Sequence, residues 1–357
     1  MRFFRQRILI LQGINSSNKI MIKAAIIGLG KMGLSHCSIL NAHPDVDLVA
    51  VCDSSTFLLD AFNKYSKQKG YTDFKKMIDE TQPECIVVAT PTKFHADMVL
   101  YALERGIHVF CEKPFSLTVE DGVKMVTVAE LKSVVNQVGY HNRYIGTFRE
   151  MKRLVEANVI GDLFHFTGSA FGPVVLKEKG GTWRSDRSEG GGCLFDYASH
   201  VLNLIHFILG KPINAKGTLL KNIYSNEVED AVYSSLFLES GLSGQLAVNW
   251  SDETHRKMTT SIEIEGKKGK MIADATEIKI YLKEENKAEK MEKGWTIKYI
   301  TDLTPLVNFN LRGEEYSAQI DYFIDCIKNK RKENINSFAE ALATDKIIDI
   351  MINDASK

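Results

Sequence analysis

The chain has 357 residues, 44% of them hydrophobic and 25% charged, with 45 basic side chains against 45 acidic ones. At about 100 to 200 residues per domain this length argues for two domains and excludes a single small module. Zero formal charge removes the basic footprint of a protein that mainly binds nucleic acid, which leaves small-molecule chemistry as the leading class.

Residues 1–20 carry four basic groups and no acid, but the apolar run Ile8-Leu9-Ile10-Leu11 is short for a secretory core and no small-residue cleavage site follows. Met21 opens the first clear strand, so residues 1–20 are expected to be an upstream start or a loose extension. Over residues 21–142, apolar runs alternate with amphipathic stretches. Strands are expected at 24–28, 48–52, 85–89, 108–111 and 134–139, with helices at 57–69, 94–105 and 119–132 between them. Continuous apolar strands separated by helices mean parallel strands covered on both faces, hence an α/β, doubly wound Rossmann-type domain.

From residue 143 to 357 the grammar changes. Val232, Ser234, Leu236 and Leu238 recur at every second position of one segment, as do Leu246, Val248 and Trp250 in another, and Ile262 and Ile264 repeat the habit. Period-two alternation predicts an open, mainly antiparallel sheet in an α+β domain, closed by helices over 314–328 and 337–353. The six cysteines form no CxxC pair, so neither a metal site nor a disulfide framework is expected, and a reducing, cytoplasmic setting fits. No stretch approaches the roughly 20 apolar residues of a membrane span, and none is expected.

Gly28-Leu29-Gly30-Lys31-Met32-Gly33 ends the first strand and leads into a helix. The first glycine permits the turn, the second admits a pyrophosphate to the backbone, and the third lets helix and strand pack closely. The helix N-terminus adds free N–H groups and a positive dipole. Asp53 ends the second strand, where its carboxylate accepts from both ribose hydroxyls and repels a 2′-phosphate. NAD is therefore favoured over NADP, although Ser54 beside it tolerates a phosphate. Cys111-Glu112-Lys113-Pro114 follows the fifth strand, which puts Lys113 at the carboxyl end of the parallel sheet, where ligands bind. Further on, the run from Gly190 to Ile205, read as one regular helix, puts Asp196, His200 and Asn203 on a single polar stripe in an apolar setting. Such a stripe must face a cavity, a ligand or satisfying partners.

Together these residues resemble the Gfo/Idh/MocA family of NAD(P)-dependent sugar and inositol oxidoreductases. The resemblance runs from Met21 to the C-terminus and includes the glycine run, Thr90-Pro91 with His95, Glu112-Lys113-Pro114, Val138-Gly139-Tyr140 with Arg143, Trp183-Arg184, and Asp196 with His200. It implies a catalytic trio of Lys113, Asp196 and His200. It also implies a cofactor site completed by Thr90, Pro91, His95 and Glu112, and a substrate site reaching Asn142, Arg143, Trp183 and Arg184. A C-terminal sheet that supports homodimers or homotetramers is a further implication. Asn203 departs from the family's frequent aspartate, and His141-Asn142 is another departure, which bears on substrate choice.

The expected reaction is oxidation of a secondary alcohol on a sugar, inositol, sugar acid or nucleotide sugar. His200 is the general base, Lys113 stabilises the developing negative charge, and Asp196 orients one or the other. Lys177, Lys179, Arg184 and Arg187, in the long loop after Phe171, suggest an anionic substrate group. Two rival readings are an NAD-dependent glycosidase with transient redox and a non-enzymatic NAD sensor.

Overall fold

The structure, a computed structural model, describes residues 21–178, 181–331 and 334–356; the expected extension 1–20 and Lys179 lie outside them. The first half is built on six strands: β1 (Ile22–Ile27), β2 (Val46–Cys52), β3 (Lys69–Tyr71), β4 (Cys85–Val88), β5 (His108–Cys111) and β6 (Asn136–Val138). Their order is β3-β2-β1-β4-β5-β6, and every pairing is parallel. Parallel neighbours need crossovers. Helices α1 (Lys31–Ala42), α2 (Thr56–Tyr65), α3 (Phe74–Thr81), α4 (His95–Glu104) and α5 (Val119–Lys132) lie in those connections. Ala24, Ile26, Val87 and Phe110 face one core while Ala25, Ile27, Ile86 and Val109 face the other, so the strands read as unbroken apolar runs.

Three local departures have local causes. The helix expected over 57–69 stops at Tyr65, and Lys69–Tyr71 becomes a strand on the edge of the sheet. Three residues centred on a glycine carry no readable period. Helix α3 begins where Asp73 accepts from the N–H groups of Lys75 and Lys76, a cap that polar spacing alone did not single out. Strand β6 is shorter than expected, and the Val135 N–H just before it donates to the ring of His108 on β5 at 2.9 Å rather than to a backbone carbonyl of that strand.

The second half is an eight-stranded mixed sheet formed by β7 (Leu163–Phe171), β8 (Pro212–Lys221), β9 (Ala231–Leu238), β10 (Ser243–Asn249), β11 (Thr259–Gly266), β12 (Gly269–Asp274), β13 (Glu277–Leu282) and β14 (Gly294–Tyr299). The order is β14-β13-β12-β11-β7-β10-β9-β8, antiparallel except between β7 and β10. Val232, Ser234, Leu236 and Leu238 are buried while Tyr233 and Phe237 are exposed, as the alternation predicts. Helices α6 (Gly146–Glu156) and α7 (Ser199–Leu209) cover the inner face. The stretch Arg187–Leu209 is in fact long and apolar enough to cross a membrane, yet 83% of its apolar window is buried inside the protein. Its regular part, α7, is a core helix of this half.

The last two helices return to the first half. α8 (Glu314–Lys328) sets Ile320, Phe323 and Ile324 against Ile26 and Phe110. α9 (Phe338–Ala355) puts Phe338, Ala341 and Leu342 into the core that holds Met125 and Val138, and puts Ile347, Ile348 and Met351 into the core of the eight-stranded sheet. One helix therefore packs against both sheets and fixes their relation.

Candidate active site

The turn after β1 is shaped for a dinucleotide. Gly28 has φ +98°, and a Cβ there would lie 2.6 Å from the Ala89 carbonyl oxygen. At Gly33 a Cβ would lie 1.8 Å from the Gly28 oxygen, whereas at Gly30 it would meet nothing within 4 Å. Only glycine fits the first and third positions, and the second leaves open ground before the free N–H groups of α1. Asp53 is fixed beside this turn: one carboxylate oxygen accepts from Leu29 N at 2.7 Å and the other from Ser55 N at 2.8 Å. Each oxygen keeps a lone pair for a ribose hydroxyl, so the residues present fit NAD.

Not every expected cofactor residue reaches open space. The Leu29 side chain belongs to the core, so only its backbone serves. Ser54 and Pro91 are exposed and Thr90 half-buried, while Lys31 and Met32 line the central cavity. His95 is a correction: it is 1% exposed, with Nε2 at 3.0 Å from the Thr90 oxygen and Nδ1 at 3.3 Å from the Phe115 oxygen. It ties two turns together from behind. Glu112 is buried against His36 at 2.6 Å; burial pushes its carboxyl up, but His36 and Lys113 outweigh that and hold it below its ordinary value. His36 was not singled out from the sequence, because its partner lies 76 residues away.

A cavity of about 450 Å³ opens where the two halves meet, walled by Lys113, Asn142, Asp196 and His200 among others. Lys113 Nζ donates to Asp196 Oδ1 at 2.5 Å and to the Asp196 backbone oxygen at 3.1 Å, which leaves the third ammonium hydrogen for a ligand. Burial pushes the Asp196 carboxyl up, yet Lys113 and Arg184 more than offset it and hold the group ionised. His200 is 3% exposed; burial first, then Lys113 and His141, push its pKa well down, so the imidazole is neutral at working pH. Its Nδ1 is enclosed with no hydrogen-bond partner among the described residues, and Nε2 is the nitrogen left to meet a substrate. Of the two roles open to Asp196, its hydrogen bonds support the one toward Lys113.

The expected polar stripe is broken. Leu194–Ala198 is a π-helical turn, and α7 begins only at Ser199, so Asp196 and His200 reach the cavity while Asn203 points elsewhere. Asn203 accepts from Arg143 Nε at 2.6 Å and donates to Thr344 at 3.3 Å. Arg143, expected at the substrate, is 1% exposed and also binds Glu340 at 2.8 Å. It is a structural cation joining α7 to α9. Asn142 does line the cavity, with an amide nitrogen that has no partner among the described residues. Thr260 offers an unpartnered hydroxyl on the same wall. His141 stacks on Tyr316 at 4.5 Å and meets His200 edge-on at 4.9 Å, and burial pushes its pKa down to about 4. Tyr316 and Thr260 left no sequence signal, since each reaches the site only through packing.

Two of the loop cations, Arg184 and Arg187, are already engaged. Arg184 Nε lies 3.0 Å from Asp196 Oδ2, and Arg187 lies 3.1 Å from the buried Glu229. Lys177 is exposed. Among the described residues, Arg184, Arg187 and Lys177 do not come together as a site for an anion.

Residues 22–140 match the Gfo/Idh/MocA oxidoreductase family, NAD-binding Rossmann fold, and residues 148–272 match the Gfo/Idh/MocA C-terminal domain. D-glucoside 3-dehydrogenase of Escherichia coli (strain K12) is 31% identical over 197 residues, 54% of this chain and 55% of that protein. The match thus spans little more than half of that relative's length. scyllo-Inositol 2-dehydrogenase (NAD(+)) of Bacillus subtilis (strain 168) is 22% identical over 316 residues, 86% of each chain. The fold matches that of a levoglucosan dehydrogenase solved in complex with NADH, with a TM-score of 0.83 at 20% identity over 94% of this chain and 97% of that one.

Proposed function

This chain belongs to the Gfo/Idh/MocA oxidoreductase family and carries its NAD-binding Rossmann domain; from that premise we propose that it is an NAD-dependent dehydrogenase of a secondary alcohol on a sugar or polyol. The observation that carries the proposal is the joining of Lys113 to Asp196 beside a neutral, enclosed His200. NAD, when bound along the Gly28–Gly33 turn, supplies the hydride acceptor. His200 takes the hydroxyl proton as the C–H bond breaks. The free ammonium hydrogen of Lys113 meets the same oxygen and stabilises its growing negative charge, and Asp196 keeps that ammonium from swinging away. Asn142 and Thr260 supply hydroxyl contacts on the surrounding wall.

The test is NADH formation from NAD across a panel of sugars and inositols. One NADH per substrate oxidised is expected. Turnover of a glycoside with no net NADH would point to the transient-redox chemistry of a glycosidase and overturn the reading.

Two further parts of the reading rest on the surface and the thiols. Six buried, unpaired cysteines support a reducing, cytoplasmic compartment. The outer face of the sheet exposes Tyr233 and Phe237 on β9 and, at the opposite edge, Trp295, Ile297 and Tyr299 on β14, two apolar surfaces that support a homodimer or homotetramer. Light scattering is expected to return a multiple of the 40.1 kDa chain mass; a monomer at micromolar concentration would remove this part.

A further inference from the structure

Behind Glu112 lies a histidine that the proposed reaction does not use. His36, on α1, is fully enclosed, and its Nε2 stands 2.6 Å from Oε1 of Glu112, the residue that follows β5. Glu112 is held ionised and only accepts, so the hydrogen between them belongs to His36 Nε2. The other ring nitrogen, Nδ1, is buried with no partner among the described residues, and the ring meets Phe110 edge-on with centroids 5.2 Å apart. The imidazole has one polar target.

Glu112 is confined from three directions. His36 holds Oε1, the Lys113 N–H donates to Oε2 at 3.1 Å, and a Cβ at Gly139 would meet the carboxyl carbon and Oε2 at 2.9 Å. The Gly139 backbone is not left-handed, so it is the carboxylate that requires glycine there. From this position Glu112 lines the catalytic cavity beside Lys113, whose ammonium is paired with Asp196. The Lys113 charge already acts on Glu112. A carboxylate free to turn would compete with Asp196 for the ammonium, and a charge-assisted bond to the wrong partner would take that ammonium off the substrate oxygen.

Resting on the dehydrogenase reading, we propose that His36 is a positioning residue for hydride transfer: by fixing the Glu112 carboxylate it keeps Lys113 paired with Asp196 and its free hydrogen on the reacting oxygen. His36 acts through Glu112 and lies outside the cavity lining. The helix that offers its N-terminus to the cofactor also steadies the catalytic lysine from further along its length.

The experiment compares His36→Asn with His36→Gln in the full chain. A glutamine amide reaches the place of Nε2, whereas an asparagine amide ends near the place of Nδ1 and leaves Glu112 unheld. With a substrate from the sugar and inositol panel, His36→Asn is expected to lower kcat by about tenfold or more and His36→Gln to recover it to within about threefold of the parent. The Kd for NADH, from fluorescence titration, is expected to stay within about threefold in both, since the Gly28–Gly33 turn is untouched. Gly139→Ala drives a methyl group into the same carboxylate and is expected to reproduce the loss; combined with His36→Asn it costs less than the product of the two.

Equal kcat in the two His36 variants overturns the inference, as does a loss of NADH affinity as large as the loss of kcat, the mark of general damage to α1. If His36→Asn does not fold, Gly139→Ala decides, and parental kcat there overturns the inference. A parent chain that forms no NADH with any compound removes the dehydrogenase reading itself, and the inference with it.

Discussion

Replacing His200 with alanine lowers kcat by about 10²- to 10⁴-fold, the usual worth of a positioned general base. Lys113→Met is expected to cost about 10²- to 10³-fold, since it removes one preorganised donor from the developing alkoxide. The double variant falls by less than the product of the two, because both groups act on one oxygen. The pH dependence carries a sign. Burial holds the His200 pKa below its ordinary 6.5, so the base form persists into acid and the acidic limb of kcat lies below that value. Steady-state kinetics across pH checks all three points. Near-normal turnover in either single variant would mean that the proton and the charge are handled elsewhere.

The second large effect lies away from the chemistry, at Asp345 on α9. Its Oδ2 lies 2.8 Å from the Ser116 hydroxyl and 3.1 Å from the Ser116 N–H, while that hydroxyl also lies 2.9 Å from the Thr118 carbonyl. The Ser116 hydroxyl and N–H both donate toward Oδ2 and favour the ionised carboxylate, while Oδ1 is buried with no partner among the described residues. Burial outweighs those bonds and pushes the carboxyl from 3.8 up to about 7, so the proton is retained. The nearby Tyr140 and Cys111 are held above their ordinary values by burial and stay neutral in this range.

The folded state therefore keeps this proton where the unfolded chain has lost it. Stability falls as pH rises from about 4 to about 7 and levels off beyond. From pH 5 to pH 8 this amounts to about 3 kcal/mol at 1.36 kcal/mol per pH unit. Asp345→Asn removes the titration, so its stability relative to the parent is expected to rise by about that amount over the same interval. Urea unfolding at the two pH values measures it, and parallel curves for the two proteins would show that Asp345 is ionised throughout.

What the sequence made legible was local. The Gly28–Gly33 turn and Asp53 sit on consecutive elements, and steric need at Gly28 and Gly33 explains their identity without any partner from afar. Lys113 and Asp196 are 83 residues apart, and resemblance to a family, rather than spacing, joined them in advance. Where reading failed, a distant partner or an irregular turn decided the outcome. Arg143 looked like a ligand for substrate because its counterion, Glu340, lies 197 residues on. Arg184 and Arg187 looked like a free cation cluster because Asp196 and Glu229 are invisible as neighbours in one dimension. Asn203 was placed on the catalytic stripe by assuming regular α-geometry through a segment that contains a π-turn.

The return of α8 and α9 to the parallel sheet has a bearing on how the chain is made. When residue 313 has left the ribosome, all six strands of the cofactor sheet exist, yet Phe110 lacks Phe323 at 5.9 Å and Phe115 lacks Phe338 at 4.6 Å. The nascent half-enzyme carries two uncovered apolar faces, one on each side of its sheet, until the final segment arrives. Synthesis order and folding order are thus opposed in this protein: the first domain to be translated is completed by the last helices.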